Sequence, residues 1–284
     1  MSRAFETFAP AKLNLCLHVG PRRADGLHEI SSLFAPLSLA DRLVVSEAES
    51  DGVVVTGIEG PDLTARALAG LRAAGWSHDP VRIEVEKVIP VAAGLGGGSA
   101  DAAAVLRLAG DDLPAERIVA LARELGADVS SQLDPRFCHV GGAGEEIEPL
   151  PRPHPFSVVL IPDSEGLSTA AVYAEADRLG TTRDAGELAV ARGRIVAAAE
   201  PGAHPLEYPS LLVNDLAPAA LSLRPSIEVA LGLLVEVGAP VALVTGSGPT
   251  AVGIFEGRDG AVAAAAELRA GGHEAIVSSS VEGL

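Results

Sequence analysis

Apolar and polar positions alternate over residues 13–19, with Leu13, Leu15, Leu17 and Val19 set against Asn14, Cys16 and His18. A period of two marks a strand that buries one face. Leu43-Val44-Val45, Val53-Val54-Val55 and Val81-Arg82-Ile83-Glu84-Val85 predict further strands. Between the first two strands, Arg22 to His28 predicts a turn that is tightest at Asp25-Gly26. Helices are expected over Leu63 to Ala74, Ser99 to Leu108 and Ala115 to Leu125, the last ended by Gly126. Four alternating prolines in Pro149-Leu150-Pro151-Arg152-Pro153-His154-Pro155 fit neither a helix nor a central strand and predict a linker. Beyond it the pattern resumes with a strand from Phe156 to Ile161 and helices over Thr169 to Leu179 and Glu187 to Ala199. Strands Val241–Val244 and Ala251–Phe255 flank a glycine turn, and a helix over Ala261 to Ala270 precedes a last strand at Ala275–Ser278. The fold class read from this order is α+β, in two domains, residues 1–152 and 153–284.

Composition narrows the function classes. Hydrophobic residues make up 48% of 284, enough to fill a core and too many for a disordered chain. With 21 Lys and Arg against 38 Asp and Glu, the net charge of −17 disfavours nucleic acid and anionic lipid as partners. It leaves room for a small anion, because distant surface charges are screened and a local pocket sets the field. The uncharged run from Val237 to Phe255 is interrupted by Pro240, Gly246, Gly248, Pro249 and Gly253, which makes it strand–loop–strand rather than a membrane helix. Cys16 and Cys138 lie far apart without metal-ligand spacing, so neither a disulfide framework nor a structural metal site is expected. A charge at once and no apolar run in Met1 to Glu6 argue against a signal peptide, and a reducing cytoplasm is the expected location.

The segment richest in chemistry is Pro90-Val91-Ala92-Ala93-Gly94-Leu95-Gly96-Gly97-Gly98-Ser99-Ala100-Asp101, between a strand and an Ala-rich helix. Four glycines in five positions let backbone N–H groups approach a ligand closely. Ser99 suits a helix N-cap, and the helix beyond it presents free N–H groups and the positive end of its dipole. Together these make an anion cradle for nucleotide phosphates. The cradle lacks the Lys of a Walker loop and the third Gly of a dinucleotide fingerprint. Gly246-Ser247-Gly248-Pro249-Thr250-Ala251 imitates that fingerprint, but strand follows it, so it is a glycine turn, one that could line a site.

Three motifs in order resemble those of the GHMP kinases. They are Pro10-Ala11-Lys12-Leu13-Asn14-Leu15 with Asp25-Gly26-Leu27-His28-Glu29, the glycine loop Gly94–Asp101, and Thr245-Gly246-Ser247-Gly248. Ala127-Asp128-Val129, Ser168-Thr169-Ala170 and Asn214-Asp215-Leu216 also stand where that family has similar words. The resemblance implies a two-domain kinase fold, with an N-terminal ATP-binding domain and a C-terminal domain on the substrate side. It further implies phosphoryl transfer from ATP to the C2 hydroxyl of a diphosphocytidyl-methylerythritol acceptor in the non-mevalonate route to isoprenoid precursors. Magnesium would arrive on ATP, keeping several waters, and the chain would work as a monomer or weak homodimer. A mevalonate- or homoserine-type acceptor, or a nucleotide-binding protein without catalysis, are the alternative readings.

The resemblance also assigns roles. Unaided, Lys12 beside a strand would snorkel to solvent; by resemblance it steadies charge on the transferring phosphoryl group. Unaided, Asp128 would be a turn or cap residue; by resemblance it is the base that takes the proton of the acceptor hydroxyl. Pro90, Ala93 and the run Gly94 to Ala100 hold the triphosphate. Asn14, Leu27, His28, Thr169, Tyr173, Gly246, Ser247 and Gly248 line the acceptor side, with His28 bonding the cytosine and Tyr173 stacking on it. Three places depart from the family: Leu27 replaces an aromatic, Ala100 replaces a serine, and Ser130-Ser131-Gln132 replaces a more apolar run.

Overall fold

The computed structural model describes residues 4–57 and 62–281; Met1 to Arg3 of the amino-terminal segment lie outside them. Strands β1 (Ala4–Arg22) and β2 (His28–Glu47) form a long antiparallel pair, far longer than the apolar runs suggest. The opposite edge of β2 is shared by β4 (Val81–Glu86) and β5 (Cys138–Gly141), both antiparallel to it. β3 (Gly52–Val55) lies parallel to β4 beyond it, and β6 (Glu146–Pro149) closes the other end on β5. Helices α1 (Leu63–Ala73), α2 (Gly97–Arg107), α3 (Ala115–Leu125) and α4 (Ala127–Gln132) belong to this first half. Leu68 and Leu71 of α1, the alanines of α2 and Val129 of α4 share one core with Leu43 and Val45 of β2.

After the proline-rich crossing the chain builds a four-stranded antiparallel sheet. β7 (Ser157–Ile161) lies between β10 (Ile276–Ser279) and β9 (Ala251–Phe255), and β8 (Val241–Val244) pairs with β9. Helices α5 (Thr169–Leu179), α6 (Ala185–Ala199), α7 (Ala217–Leu223), α8 (Ser226–Glu236) and α9 (Arg258–Ala270) complete it. The two sheets are not independent bodies. Leu13, Leu15, Leu33 and Leu37 of the first share a buried cluster with Phe156, Val158, Val252 and Ile254 of the second.

The alternation over 13–19 is corrected by the register of β1. Pairing with β2 shifts between Pro10 and Lys12 and again between Asn14 and Cys16. Leu15 and Cys16 are therefore consecutive yet both sit in the inter-sheet core, while Leu17 and Val19 pack with Val172 and Ala176 of α5. A bulge inserts one residue and reverses which face the following side chains occupy. A single alternating face across Leu13 to Val19 does not exist.

Among the described residues, no single helix is long and apolar enough to cross a membrane. The uncharged run 237–255 contains β8, a tight loop and β9.

Candidate active site

Register resumes at Lys12 after the shift that follows Pro10, with Lys12 opposite Pro36, and Lys12 N donates to Leu95 O at 3.0 Å, tying β1 to the glycine loop. The Lys12 side chain is only 8% exposed. Its stem lies against Gly96, where a Cβ would meet Lys12 Cγ at 2.9 Å, and Gly96 has φ +69°. Both space and backbone conformation demand glycine there. Lys12 Nζ donates to Asn14 Oδ1 at 2.5 Å, lies 3.4 Å from Asp128 Oδ2 and sits 4.8 Å from the centre of the Phe34 ring.

The helix after the glycines begins at Gly97, so Ser99 is not the N-cap; it lies inside the first turn. The cap is Gly96 in the left-handed region, and no side chain caps the helix. The close contact with Lys12 sets that cap three residues earlier than side-chain capping preference suggests. An uncapped helix N-terminus leaves backbone N–H groups and the positive end of the helix dipole free for an anion. Ala100 is fully buried and Pro90 partly so. Ala93 and Leu95 are buried, turning the loop's apolar side inward.

Asp128 stands in the first turn of α4, not in a turn after a helix, and its side chain is 35% exposed. Arg107 secures that helix from below, donating to Gln132 O at 2.7 Å and to Phe8 O at 2.8 Å. Burial lowers the Arg107 pKa to about 10, which leaves it charged at neutral pH.

Asn14 joins the first and third motifs. Its backbone N donates to Thr245 Oγ1 at 3.0 Å and its Nδ2 to Ser32 Oγ at 2.9 Å. The Gly246–Gly248 turn presses on the glycine loop: a Cβ at Gly94 would meet Thr245 O at 2.5 Å, with Gly94 at φ +74°. Asn214 holds the turn in place, donating from Nδ2 to Val244 O at 2.7 Å and Gly246 O at 2.8 Å. Thr169, the first residue of α5, brings its hydroxyl within 3.0 Å of Ser247 Oγ, so α5 touches the same turn.

At the other end, His28 is buried and stacks on Tyr173 with ring centroids 5.2 Å apart. Its Nε2–H donates to Asp177 Oδ1 at 2.8 Å, a partner that nothing in the sequence singles out except its spacing one turn beyond Tyr173. Burial holds the Tyr173 hydroxyl well above its usual pKa, with the Asp128 charge adding to the effect. Tyr173 thus lies within reach of the Asp128 charge. Leu27 is 54% exposed at the turn, its N–H donating to Asp25 Oδ1 at 3.0 Å. Among the described residues, no group of three or more His, Cys, Asp or Glu is placed to hold a metal ion. A cavity of about 320 Å³ is lined by His18, Arg183, Glu187 and Val213 among others, and shares none of the site residues above.

The two-sheet fold places a glycine-cradled helix end beside a Lys–Asp pair, and comparison with known proteins gives the family. The GHMP kinases N terminal domain matches residues 62–142 and the GHMP kinases C terminal domain matches residues 205–274. The chain belongs to the GHMP kinase family and is an ATP-dependent small-molecule kinase. It is 42% identical over 275 residues to 4-diphosphocytidyl-2-C-methyl-D-erythritol kinase of Anaeromyxobacter dehalogenans, covering 93% of this chain and 84% of that one. A crystal structure of 4-(cytidine 5'-diphospho)-2C-methyl-D-erythritol kinase superposes with TM-score 0.79 at 40% identity, covering 97% of this chain and 98% of the other. A homoserine kinase from Cytophaga hutchinsonii shares the fold, with TM-score 0.69 and 18% identity over 99% of this chain and 95% of that one.

Proposed function

We propose that this kinase transfers the γ-phosphoryl group of ATP to the 2-hydroxyl of 4-diphosphocytidyl-2-C-methyl-D-erythritol. The observation that carries the reaction is the Lys12 ammonium 3.4 Å from the Asp128 carboxylate, beside the uncapped start of α2. The acceptor follows from the relatives at about 40% identity. The triphosphate lies along Gly94–Ala100, with the first-turn N–H groups of α2 on its oxygens. Asp128, the more exposed of the pair, accepts the hydroxyl proton as the acceptor oxygen attacks the γ-phosphorus and the bond to the β-phosphate oxygen breaks, releasing ADP. Lys12, nearly buried and oriented by Asn14, neutralises charge on the transferring group.

Residues 1–152 supply the cradle and the Lys–Asp pair. Residues 153–284 contribute Thr169, Tyr173 and the Gly246–Gly248 turn to the acceptor side, where His28 and Tyr173 receive the cytosine. Magnesium would travel with the triphosphate and offset its charge there. A panel of acceptors incubated with ATP and magnesium tests the reading. ADP and a phosphorylated product form with the diphosphocytidyl acceptor and not with mevalonate or homoserine; the reverse preference, or no turnover, would overturn it.

A further inference from the structure

The mechanism leaves a buried ionic cluster unused. Lys87 lies just before the glycine loop, and its Nζ donates to Asp41 Oδ2 at 2.5 Å and to Asp101 Oδ2 at 2.7 Å. Both carboxylates are sealed from solvent, at 0% and 1% exposure. Asp41 Oδ1 accepts from Val88 N at 2.5 Å and Ile89 N at 2.8 Å, fixing the segment that leads from β4 into the loop. Asp101 Oδ1 is buried with no hydrogen-bond partner. The ammonium sits directly under the phosphate-binding turn: a Cβ on Gly97, the first residue of α2, would lie 3.2 Å from Lys87 Nζ.

Two carboxylates that share one ammonium in dry surroundings carry a net negative charge unless one of them holds a proton. The charged groups acting on Asp101 are Lys87, from the segment after β4, and Asp41 of β2. Helices α1, α3 and α4 face α2 with apolar side chains, among them Leu68, Leu121 and Val129. Burial pushes the Asp101 carboxyl up to about 7, with Lys87 opposing that rise. For Lys87, burial pulls downward and the two carboxylates outweigh it, so the ammonium is retained.

We propose that Asp41, Lys87 and Asp101 form a proton-linked latch that positions the first turn of α2, so that nucleotide binding is accompanied by proton uptake at the latch. The inference rests on reading the glycine loop as a triphosphate site. A protonated latch is neutral; as pH rises through the range where Asp101 ionises, it becomes negative beneath a site for a polyanion and weakens binding. Conversely, a bound polyanion favours the protonated form. Lys87 and Asp101 act here as positioning residues, through the helix they hold.

The test is ATP binding to the intact protein by calorimetry, in buffers of different ionisation heat near neutral pH, for wild type and Asp101→Asn. Wild type should take up more protons per nucleotide than the variant. Its affinity should fall about threefold to tenfold more steeply between about pH 6 and about pH 8. In turnover the variant should flatten the pH profile of KM for ATP relative to wild type. Equal proton counts and parallel profiles would overturn the latch and leave the triphosphate site standing. Wild type with no uptake beyond that of the nucleotide itself would overturn it without reference to the variant. Failure of wild type to bind ATP at all would overturn both readings.

Discussion

The two ends of the cleft are built differently. At the phosphate end, shape comes from backbone and from missing side chains: Gly94 against Thr245 O, Gly96 against the Lys12 stem, and a helix start with no side-chain cap. At the base end, shape comes from side chains on a turn and a surface helix: Leu27 half exposed, His28 on Tyr173, Asp177 40% exposed. Close-packed backbone tolerates no added atom, whereas partly exposed side chains can change with little effect on folding. On the proposed assignment, the contrast places the chemistry of transfer where packing is tight and acceptor preference where side chains are more exposed.

The largest effects should therefore come from the phosphate end. Lys12→Met and Asp128→Asn should each lower kcat by about 10²–10⁴-fold, with thermal midpoints near wild type. Rapid-quench turnover alongside calorimetry checks this, and wild-type rates in either variant would erase the contrast. Gly96→Ala should come next. A Cβ 2.9 Å from Lys12 Cγ at φ +69° costs roughly 1–3 kcal/mol of strain and displaces the ammonium, so both stability and kcat should drop. At the base end, His28→Ala should raise KM for the acceptor about tenfold and leave KM for ATP unchanged, since it removes one buried hydrogen-bonding ring. Leu27→Ala should do least, under about 1 kcal/mol in acceptor binding, because Leu27 is already 54% exposed. An acceptor KM more sensitive to Leu27 than to His28 would show that the base end is organised by the turn.

The same contrast explains what could be read from the chain alone. Glycine density, the lone Lys12 and the Asp128 word are stated by residue type, and the structure gathers them in one place. The start of α2 was not legible, because Gly96 acts as its cap through contact with a lysine 84 positions earlier. Nor was the bulge after Leu15, since a one-residue insertion leaves the hydrophobic count intact while reversing the faces. The short strands β5 and β6 and the helices α7 and α8 lacked a strong period of their own. Asp177 and the Asp41–Lys87–Asp101 cluster depend on tertiary neighbours, although a charged Asp101 in a run of alanines was a signal that something charged must meet it.

The central claim is that Lys12 and Asp128 flank the γ-phosphoryl group held at the start of α2. The most direct measurement is a crystal structure with a non-hydrolysable ATP analogue and the diphosphocytidyl acceptor. The account predicts γ-phosphate oxygens on Lys12 Nζ and the N–H groups of Gly97 to Ser99, with the acceptor hydroxyl about 2.6–3.2 Å from an Asp128 oxygen. A triphosphate seated elsewhere, or a reacting hydroxyl turned away from Asp128, would contradict it.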